Sequence, residues 1–411
     1  MMPRYGKVTK AIYDELRAVT GPGGVVMDDA EQLDNYAWDQ AGRVWGHMPE
    51  AVVKPSTTQQ VSDIMKIASR ERIPVTPRGA GSGLNGGAVP LAGGIVLSLE
   101  RMNKILEIDP VNRVAVVEPG VVTNDLCRAA AEHGFLYAGY PMSTETSFIG
   151  GNFATNAGGG KVIRYGNTRR HILGAEVVLP SGEVLELGGR YRKDTWGYSL
   201  LNLLVGSEGT LAIATKLIVN LEPKPGKTVN LLACYPTLES LVDSVAKVIG
   251  SGRRIISCEF MDRNLVKYTT EYLGCTLPEQ ERSEGYLLIQ VEGDTDEQLE
   301  DGYETVGKNM PRMRRFRGLR RGEPHGLRRD VERAPERPRG HARKGPARLL
   351  VGRPHGSALG GAGDDTPHKE AQRRLERRDR HNFTHRRRQH PPDTAQAPSA
   401  GRTTPKSSST R

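Results

Sequence analysis

Residues 77–87 read Pro77-Arg78-Gly79-Ala80-Gly81-Ser82-Gly83-Leu84-Asn85-Gly86-Gly87. Glycine at this density belongs where backbone N–H groups must approach a ligand with no Cβ in the way. Successive N–H groups in such a turn form a concave nest suited to a diphosphate. Ser82 adds a hydroxyl donor, and Arg78 offers charge nearby. Residues 81–86 also satisfy G-x-G-x-x-G, but that fingerprint needs its last glycine to open a helix whose N-terminus meets the phosphate. Here Ala88-Val89-Pro90-Leu91-Ala92-Gly93-Gly94 make a Pro/Gly turn into the strand-like Ile95-Val96-Leu97, which argues against a nicotinamide-binding Rossmann domain.

Two further glycine runs lie downstream. The second is Gly150-Gly151-Asn152-Phe153-Ala154-Thr155-Asn156-Ala157-Gly158-Gly159-Gly160, followed by Tyr165-Gly166. The third is Gly206-Ser207-Glu208-Gly209-Thr210-Leu211, leading into Ile213 and Thr215. Any one of them alone reads equally well as an ordinary tight turn. Three glycine loops with embedded hydroxyls, each beside a strand, are explained together by one extended ligand with a central diphosphate.

Hydrophobic periodicity around these loops predicts an α+β protein. Ile12, Leu16 and Val19 place a helix over residues 8–19. Ala51-Val52-Val53 precedes Pro55-Ser56-Thr57, a hydroxyl cap for a short amphipathic helix carrying Val61, Ile64, Met65, Ile67 and Ala68. Strands are predicted at 74–76, 94–99, 114–117, 175–179, 184–187 and 211–221, with a helix at 123–133 closed by Gly134. From about residue 227 strand and helix alternate: strands at 229–235, 255–260 and 286–291, helices at 238–249, 265–272 and 297–306. The pattern stops near Met310.

The net charge of +10 averages two unlike parts. Residues 311–411 hold 27 of the 58 basic and 10 of the 48 acidic side chains, a net of +17, against −7 for the rest. That tail has no Ile, Tyr, Trp or Cys, so it has too little apolar surface to offset its ordering entropy, and disorder is expected there. One explanation is a basic arm for nucleic acid or an anionic membrane. The other is an α+β domain interrupted mid-course and continued out of frame in GC-rich coding sequence. The absence of aromatics interleaved with the basic residues favours the second. No apolar run reaches the length of a membrane-spanning helix, and the N-terminus lacks a secretory apolar core, so a cytoplasmic protein is expected. Cys127, Cys234, Cys258 and Cys275 stand far apart, as free thiols in a reducing compartment rather than as metal ligands.

In ordered combination these motifs resemble the flavoproteins with a vanillyl-alcohol-oxidase or PCMH-type FAD domain, in the branch of glycolate oxidase FAD subunits and D-lactate or D-2-hydroxyglutarate dehydrogenases. The likeness runs over residues 36–225 through Pro55-Ser56, Pro77-Arg78-Gly79, Glu118-Pro119-Gly120, Gly150-Gly151-Asn152, Leu179-Pro180-Ser181-Gly182 and Gly206-Ser207-Glu208-Gly209. It implies a helical lead-in at 1–47, a two-part FAD-binding domain at 48–226, the start of a ferredoxin-like substrate cap at 227–310, including Cys258-Glu259-Phe260-Met261-Asp262, and the basic tail. Carried over, Pro77 to Gly83 form the diphosphate loop. Pro141, Met142, Ser143, Thr144, Glu145, Thr146 and Ser147 lie along the flavin. Gly150, Gly151, Ala154, Thr155, Asn156 and Ala157 make further FAD contacts, as do Glu208, Gly209, Thr210, Leu211, Ala212, Ile213 and Ala214. Ala212 departs from the glycine usual in relatives. Covalent relatives carry a His in the first loop; Ser82 and Gly83 stand there instead, so FAD is expected to be non-covalent.

The resemblance implies oxidation of a 2-hydroxy acid such as glycolate, D-lactate or D-2-hydroxyglutarate, by hydride transfer to flavin N5, with an electron-accepting partner subunit as one exit for the electrons. Relatives hold a metal in a later His-rich cap segment. His355, His368, His381, His385 and His390 lack its spacing, and no metal is expected. His47, His133 and His171 read as structural, and no catalytic residue is named. Two alternatives stand beside the dehydrogenase: a FAD-binding protein impaired by loss of the later cap, and a basic-tailed protein that binds nucleic acid. Nucleic acid is the less expected partner, and peripheral membrane association stays open.

Overall fold

The computed structural model describes residues 5–308, Met310, and the backbone of 315–317 and 348–352. Its first lobe comprises α1 (Lys10–Thr20), β1 (Val25–Val26), α2 (Ala30–Asp34), β2 (Ala51–Val53), α3 (Thr58–Glu71), β3 (Val75–Arg78) and β4 (Ile95–Ser98). The strands lie in the order β1-β2-β4-β3, with β2, β4 and β3 parallel. Parallel strands are covered on both faces, which is why Ala51-Val52-Val53 and Ile95-Val96-Leu97 are unbroken apolar runs. Ala51, Val53, Ile95 and Leu97 pack against α1 and α3, while Val52 and Val96 meet Leu33 on the other face. Helix α3 begins where the hydroxyl cap placed it: Thr57 Oγ1 accepts the Gln60 N–H at 3.2 Å, and Gln60 Oε1 accepts the Ser56 N–H at 2.7 Å.

The second lobe contains β5 (Ile105–Asp109), β6 (Val114–Val117), α4 (Thr123–Glu132), β7 (Phe135–Leu136), α5 (Ile149–Thr155), α6 (Val162–Tyr165), β8 (Ile172–Val178), β9 (Val184–Gly188), α7 (Leu200–Leu204), β10 (Ile213–Asn220) and β11 (Glu222–Pro223). Its main sheet is antiparallel, in the order β5-β6-β10-β8-β9. The lobes are joined through α3. Glu176 on β8 accepts from Thr58 Oγ1 at 2.6 Å, Thr215 Oγ1 at 2.9 Å and Lys216 Nζ at 2.9 Å. Ser62 Oγ donates to the Gly182 carbonyl at 2.5 Å.

One local reading is corrected. The first half of the second glycine run is the helix α5 rather than a loop. Ile149 and Phe153 bury one face of it, and Asn156 closes it in a left-handed conformation with φ +49. Its glycine content reflects close approach: a Cβ on Gly150 would lie 2.5 Å from the Cβ of Pro119.

The cap follows: β12 (Lys227–Tyr235), α8 (Leu238–Ile249), β13 (Ile255–Asp262), α9 (Arg263–Leu273), β14 (Gly285–Gly293), α10 (Asp296–Lys308), β15 (Arg315–Arg317) and β16 (Arg348–Gly352). Its sheet runs β13-β14-β12-β16-β15. Helices α8 and α10 cover one face, where Leu241, Val248, Leu299 and Val306 pack on Val229, Leu231, Leu287 and Ile289. The antiparallel order β13-β14-β12-β16 is that of a ferredoxin-like sheet. Strands β15 and β16 therefore extend the cap past Met310, where the sequence reading ended it. Leu349-Leu350-Val351 is a short apolar run that the composition of the whole tail conceals. The remainder of 311–411, with its seven histidines, the expected disorder and the nucleic-acid reading, lies outside the described residues.

Candidate functional site

The three glycine segments converge. One cavity is lined by Pro77, Arg78 and Gly79 from the first, Gly150, Gly151, Phe153 and Ala154 from the second, and Glu208, Gly209, Ala212, Ile213 and Ala214 from the third, with Leu99 from the end of β4. Each pair of segments touches. A Cβ on Gly79 would lie 3.4 Å from the Cα and N of Gly151, and one on Gly209 would lie 2.9 Å from Pro77 Cγ. The third segment is tied to α5 by Glu208 N–H donating to the Ala154 carbonyl at 2.8 Å and Gly206 N–H to the Phe153 carbonyl at 3.1 Å.

The first loop presents its backbone. Among the described residues no N–H from Gly79 to Asn85 donates to another protein group, and Ser82 makes no side-chain hydrogen bond. The loop is instead braced from behind by Asp39 and Gln40, at the end of the lead-in segment. Gly86 N–H donates to Asp39 Oδ2 at 2.9 Å, Gln40 N–H donates to the Gly83 carbonyl at 3.0 Å, and Asp39 is buried. These long-range tethers have no local sequence signal. Arg78 serves the same bracing. Its buried guanidinium donates to the Ala88 carbonyl at 3.2 Å and the Asn35 carbonyl at 3.5 Å, over the ring of Tyr36. Burial pulls its pKa below the ordinary arginine value, against the pull of Asp39. Undonated amides and a free hydroxyl, beside a glycine-walled cavity, are the donor set that a diphosphate takes up. The residues fit the group.

Residues 141–147 line a different part of the second lobe. They are clamped onto the start of α4: Asn124 N–H donates to the Thr144 carbonyl at 3.0 Å, Asn124 Nδ2 to Glu145 Oε1 at 2.9 Å, and Thr123 Oγ1 to the Ser147 carbonyl at 2.9 Å. Asn152 Nδ2 donates to Thr123 Oγ1 at 2.8 Å, which links this segment to α5 and so to the cavity wall. Pro141, Ser143 and Thr144 are half-buried; Met142, Glu145 and Thr146 are exposed. Of the other sites named from sequence, Ala80, Gly81, Ser82 and Gly83 continue the first loop. Thr155 Oγ1 donates back to the Gly151 carbonyl at 3.0 Å, and Asn156 Oδ1 accepts the Arg169 N–H at 2.9 Å. Ala157 accepts from Thr168, Thr210 Oγ1 donates to the Ser207 carbonyl at 2.7 Å, and Leu211 is exposed.

The cap meets this lobe at α6. Glu292 on β14 is buried; it accepts from Tyr165 Oη at 3.0 Å and faces Arg254 at 3.7 Å and Arg164 at 3.8 Å. The histidines have local roles: His47 Nδ1 pairs with the Trp45 carbonyl, His133 Nδ1 with the Ala129 carbonyl, and His171 Nε2 with the Tyr165 carbonyl. Burial lowers the His171 pKa. Among the described residues no group of three or more His, Cys, Asp or Glu side chains is placed to hold a metal, and no helix is long and apolar enough to cross a membrane.

Residues 49–188 match the FAD binding domain family, and residues 224–313 match the C-terminal domain of FAD linked oxidases. The chain is 38% identical over 306 residues to the glycolate oxidase subunit GlcD of Bacillus subtilis, across 74% of this chain and 63% of that protein. It is 42% identical over 243 residues to a D-lactate dehydrogenase of Archaeoglobus fulgidus, across 59% and 54%. A D-2-hydroxyglutarate dehydrogenase of Stutzerimonas stutzeri is 34% identical over 295 residues, across 72% and 63%. Among solved structures, alkyldihydroxyacetonephosphate synthase shares the fold with a TM-score of 0.63 at 21% identity, over 75% of this chain and 61% of that one. P-cresol methylhydroxylase does so with a TM-score of 0.60 at 21% identity, over 73% and 64%. The chain spans 54% to 64% of the length of the curated relatives it matches. With a glycine cradle that fits a diphosphate and both models matched in order, the chain carries an FAD binding domain followed by the C-terminal domain of FAD linked oxidases, and its cofactor is FAD.

Proposed function

We propose that the protein is an FAD-dependent dehydrogenase of a 2-hydroxy acid of the glycolate, D-lactate or D-2-hydroxyglutarate class. The observation that carries this reading is the convergence of Gly79, Gly151 and Gly209 on one cavity, in a chain whose relatives include proteins named for each of those acids. Bound FAD supplies the hydride acceptor. The chain's own share is binding and placement. The amides of 79–85 and the Ser82 hydroxyl hold the diphosphate. The clamped 141–147 segment walls the ring system. The cap, latched to α6 through Glu292, shields that side from water. Attachment is non-covalent: residues 77–87 contain no His, and burial pushes the Cys127 thiol up to about 11, away from a reactive thiolate. Electrons leave to a partner protein, in keeping with a relative that is named as a subunit.

The test uses the purified full chain. Acid precipitation should release all the flavin. Anaerobic mixing with D-lactate, glycolate or D-2-hydroxyglutarate should bleach the bound flavin with at least one of the three. The same test separates a second reading, a FAD binder with impaired catalysis. Flavin that stays oxidised with all three acids selects that reading, and a colourless protein after refolding with excess FAD sinks both.

A further inference from the structure

Lys161 follows the last glycine of the second run and caps α6. Three segments meet at its turn. A Cβ on Gly159 would lie 2.7 Å from the Tyr140 carbonyl oxygen and 3.0 Å from Met142 N, and one on Gly160 would lie 3.2 Å from Glu259 Oε1 of β13. Lys161 therefore stands at the seam between the 140–142 stretch, the glycine turn and the cap sheet. Its Nζ lies 5.3 Å from the centre of the Tyr140 ring.

The cap presents a polar face at this seam. Strand register sets Glu259 opposite Leu288, Ser257 opposite Gln290, and Gln290 opposite Asn230, so these side chains share one face with Glu292. Glu292 touches Tyr165, which turns that face toward the FAD-binding lobe. Gln290 Nε2 donates to Asn230 Oδ1 at 3.0 Å.

The seam's other cations are occupied: Arg254 and Arg164 face Glu292, and Arg254 also pairs with Asp294 at 2.7 Å. Among the described residues the Lys161 ammonium has no ion pair and no hydrogen bond, although the residue is only partly exposed. Burial, the largest influence, pulls its pKa below the ordinary lysine value, while Cys127 and Glu292 push it back. A half-buried ammonium that keeps its charge without a counter-ion is costly, and a small carboxylate relieves that cost.

We propose that Lys161 is the carboxylate anchor of the substrate site, seating the acid between Tyr140 and the Ser257–Gln290 row of the cap. The inference rests on the 2-hydroxy-acid reading and narrows it. With Glu259 and Glu292 close by, the seam has charge for one carboxylate, so a monocarboxylate is preferred to a dicarboxylate.

The experiment uses the full-length FAD-loaded protein and pyruvate as a non-reducing probe, read by perturbation of the flavin absorbance. The wild type should bind pyruvate saturably, and more tightly than 2-oxoglutarate. Lys161→Met and Lys161→Gln should weaken pyruvate at least tenfold with flavin content and melting temperature unchanged, and should raise KM for D-lactate more than they lower kcat. Lys161→Arg should restore most of the binding. If both neutral variants bind pyruvate as the wild type does, the anchor is wrong while the 2-hydroxy-acid reading survives. If the wild type neither binds pyruvate nor is bleached by any of the three acids, both fall together.

Discussion

Gly209 and Pro77 are in van der Waals contact across the cradle: a Cβ on Gly209 would sit 2.9 Å from Pro77 Cγ, and Gly209 itself is at φ +74. The third glycine segment is thereby pressed onto the first, and the cavity between them owes its width to a missing methyl group.

Gly209→Ala should lower stability by about 1–3 kcal/mol, the cost of holding an L-residue in that backbone region plus the collision. Flavin absorbance per mole of protein should fall with it. Gly252→Ala is the control: it has a similar φ of +71 but nothing within 4 Å. It should lose stability in urea melts and keep its flavin. Equal flavin loss in both would show that the Pro77 contact does not shape the cradle.

A second outcome concerns Glu100, which accepts from Tyr36 Oη, Ser98 Oγ and Lys54 Nζ, each at 2.8 Å. Burial acts to raise its pKa, but the hydrogen bonds from Lys54, Ser98 and Tyr36 outweigh it and hold the carboxyl below its ordinary 4.5. A depressed pKa contributes stability that is complete above the unfolded value and is lost as pH falls through the folded one. Glu100→Gln should therefore cost about 1–2 kcal/mol at neutral pH. The gap to the wild type should narrow as pH drops below 4.5 in parallel urea melts.

Thr57→Ala removes the oxygen that accepts the Gln60 N–H at the start of α3. The expected loss is about 1 kcal/mol, with Thr57→Ser close to neutral. Equilibrium denaturation measures both, and an alanine variant as stable as the serine one would discount the cap.

The four thiols should separate by reactivity. Burial pushes Cys127 and Cys258 up to about 11, Cys234 is buried, and Cys275 is exposed. Brief iodoacetamide treatment at neutral pH should label Cys275 and spare the others until the protein is unfolded, as read by peptide mass mapping. Early labelling of Cys127 would contradict its packing beneath Tyr137.

Much of this fold was legible because periodicity and packing agree. Helix α8 begins and ends at the residues its apolar spacing implies, and β6 does the same. Strand β5 escaped notice because Leu106 and Glu107 are both exposed, which breaks the alternation that marks a half-buried strand. Helix α5 was read as loop because Gly150 and Gly151 are poor helix formers, whereas tertiary burial of Ile149 and Phe153 decides its conformation. The cradle was legible in its glycines. Its brace, Asp39 and Gln40, and the seam around Lys161 were not, because both arise from residues brought together only by folding.

Pro77 belongs to one lobe and Gly151 and Gly209 to the other, so the cradle exists only when the two halves are docked. Any FAD that binds there acts as a staple between them, stabilising the closed state by mass action, about 2.7 kcal/mol at a hundredfold excess over Kd. Vitamin supply should then govern how long the protein survives in the cell. Pulse-chase decay in riboflavin-limited cultures should be faster than in replete ones, and equal half-lives would mean that the halves hold together unaided.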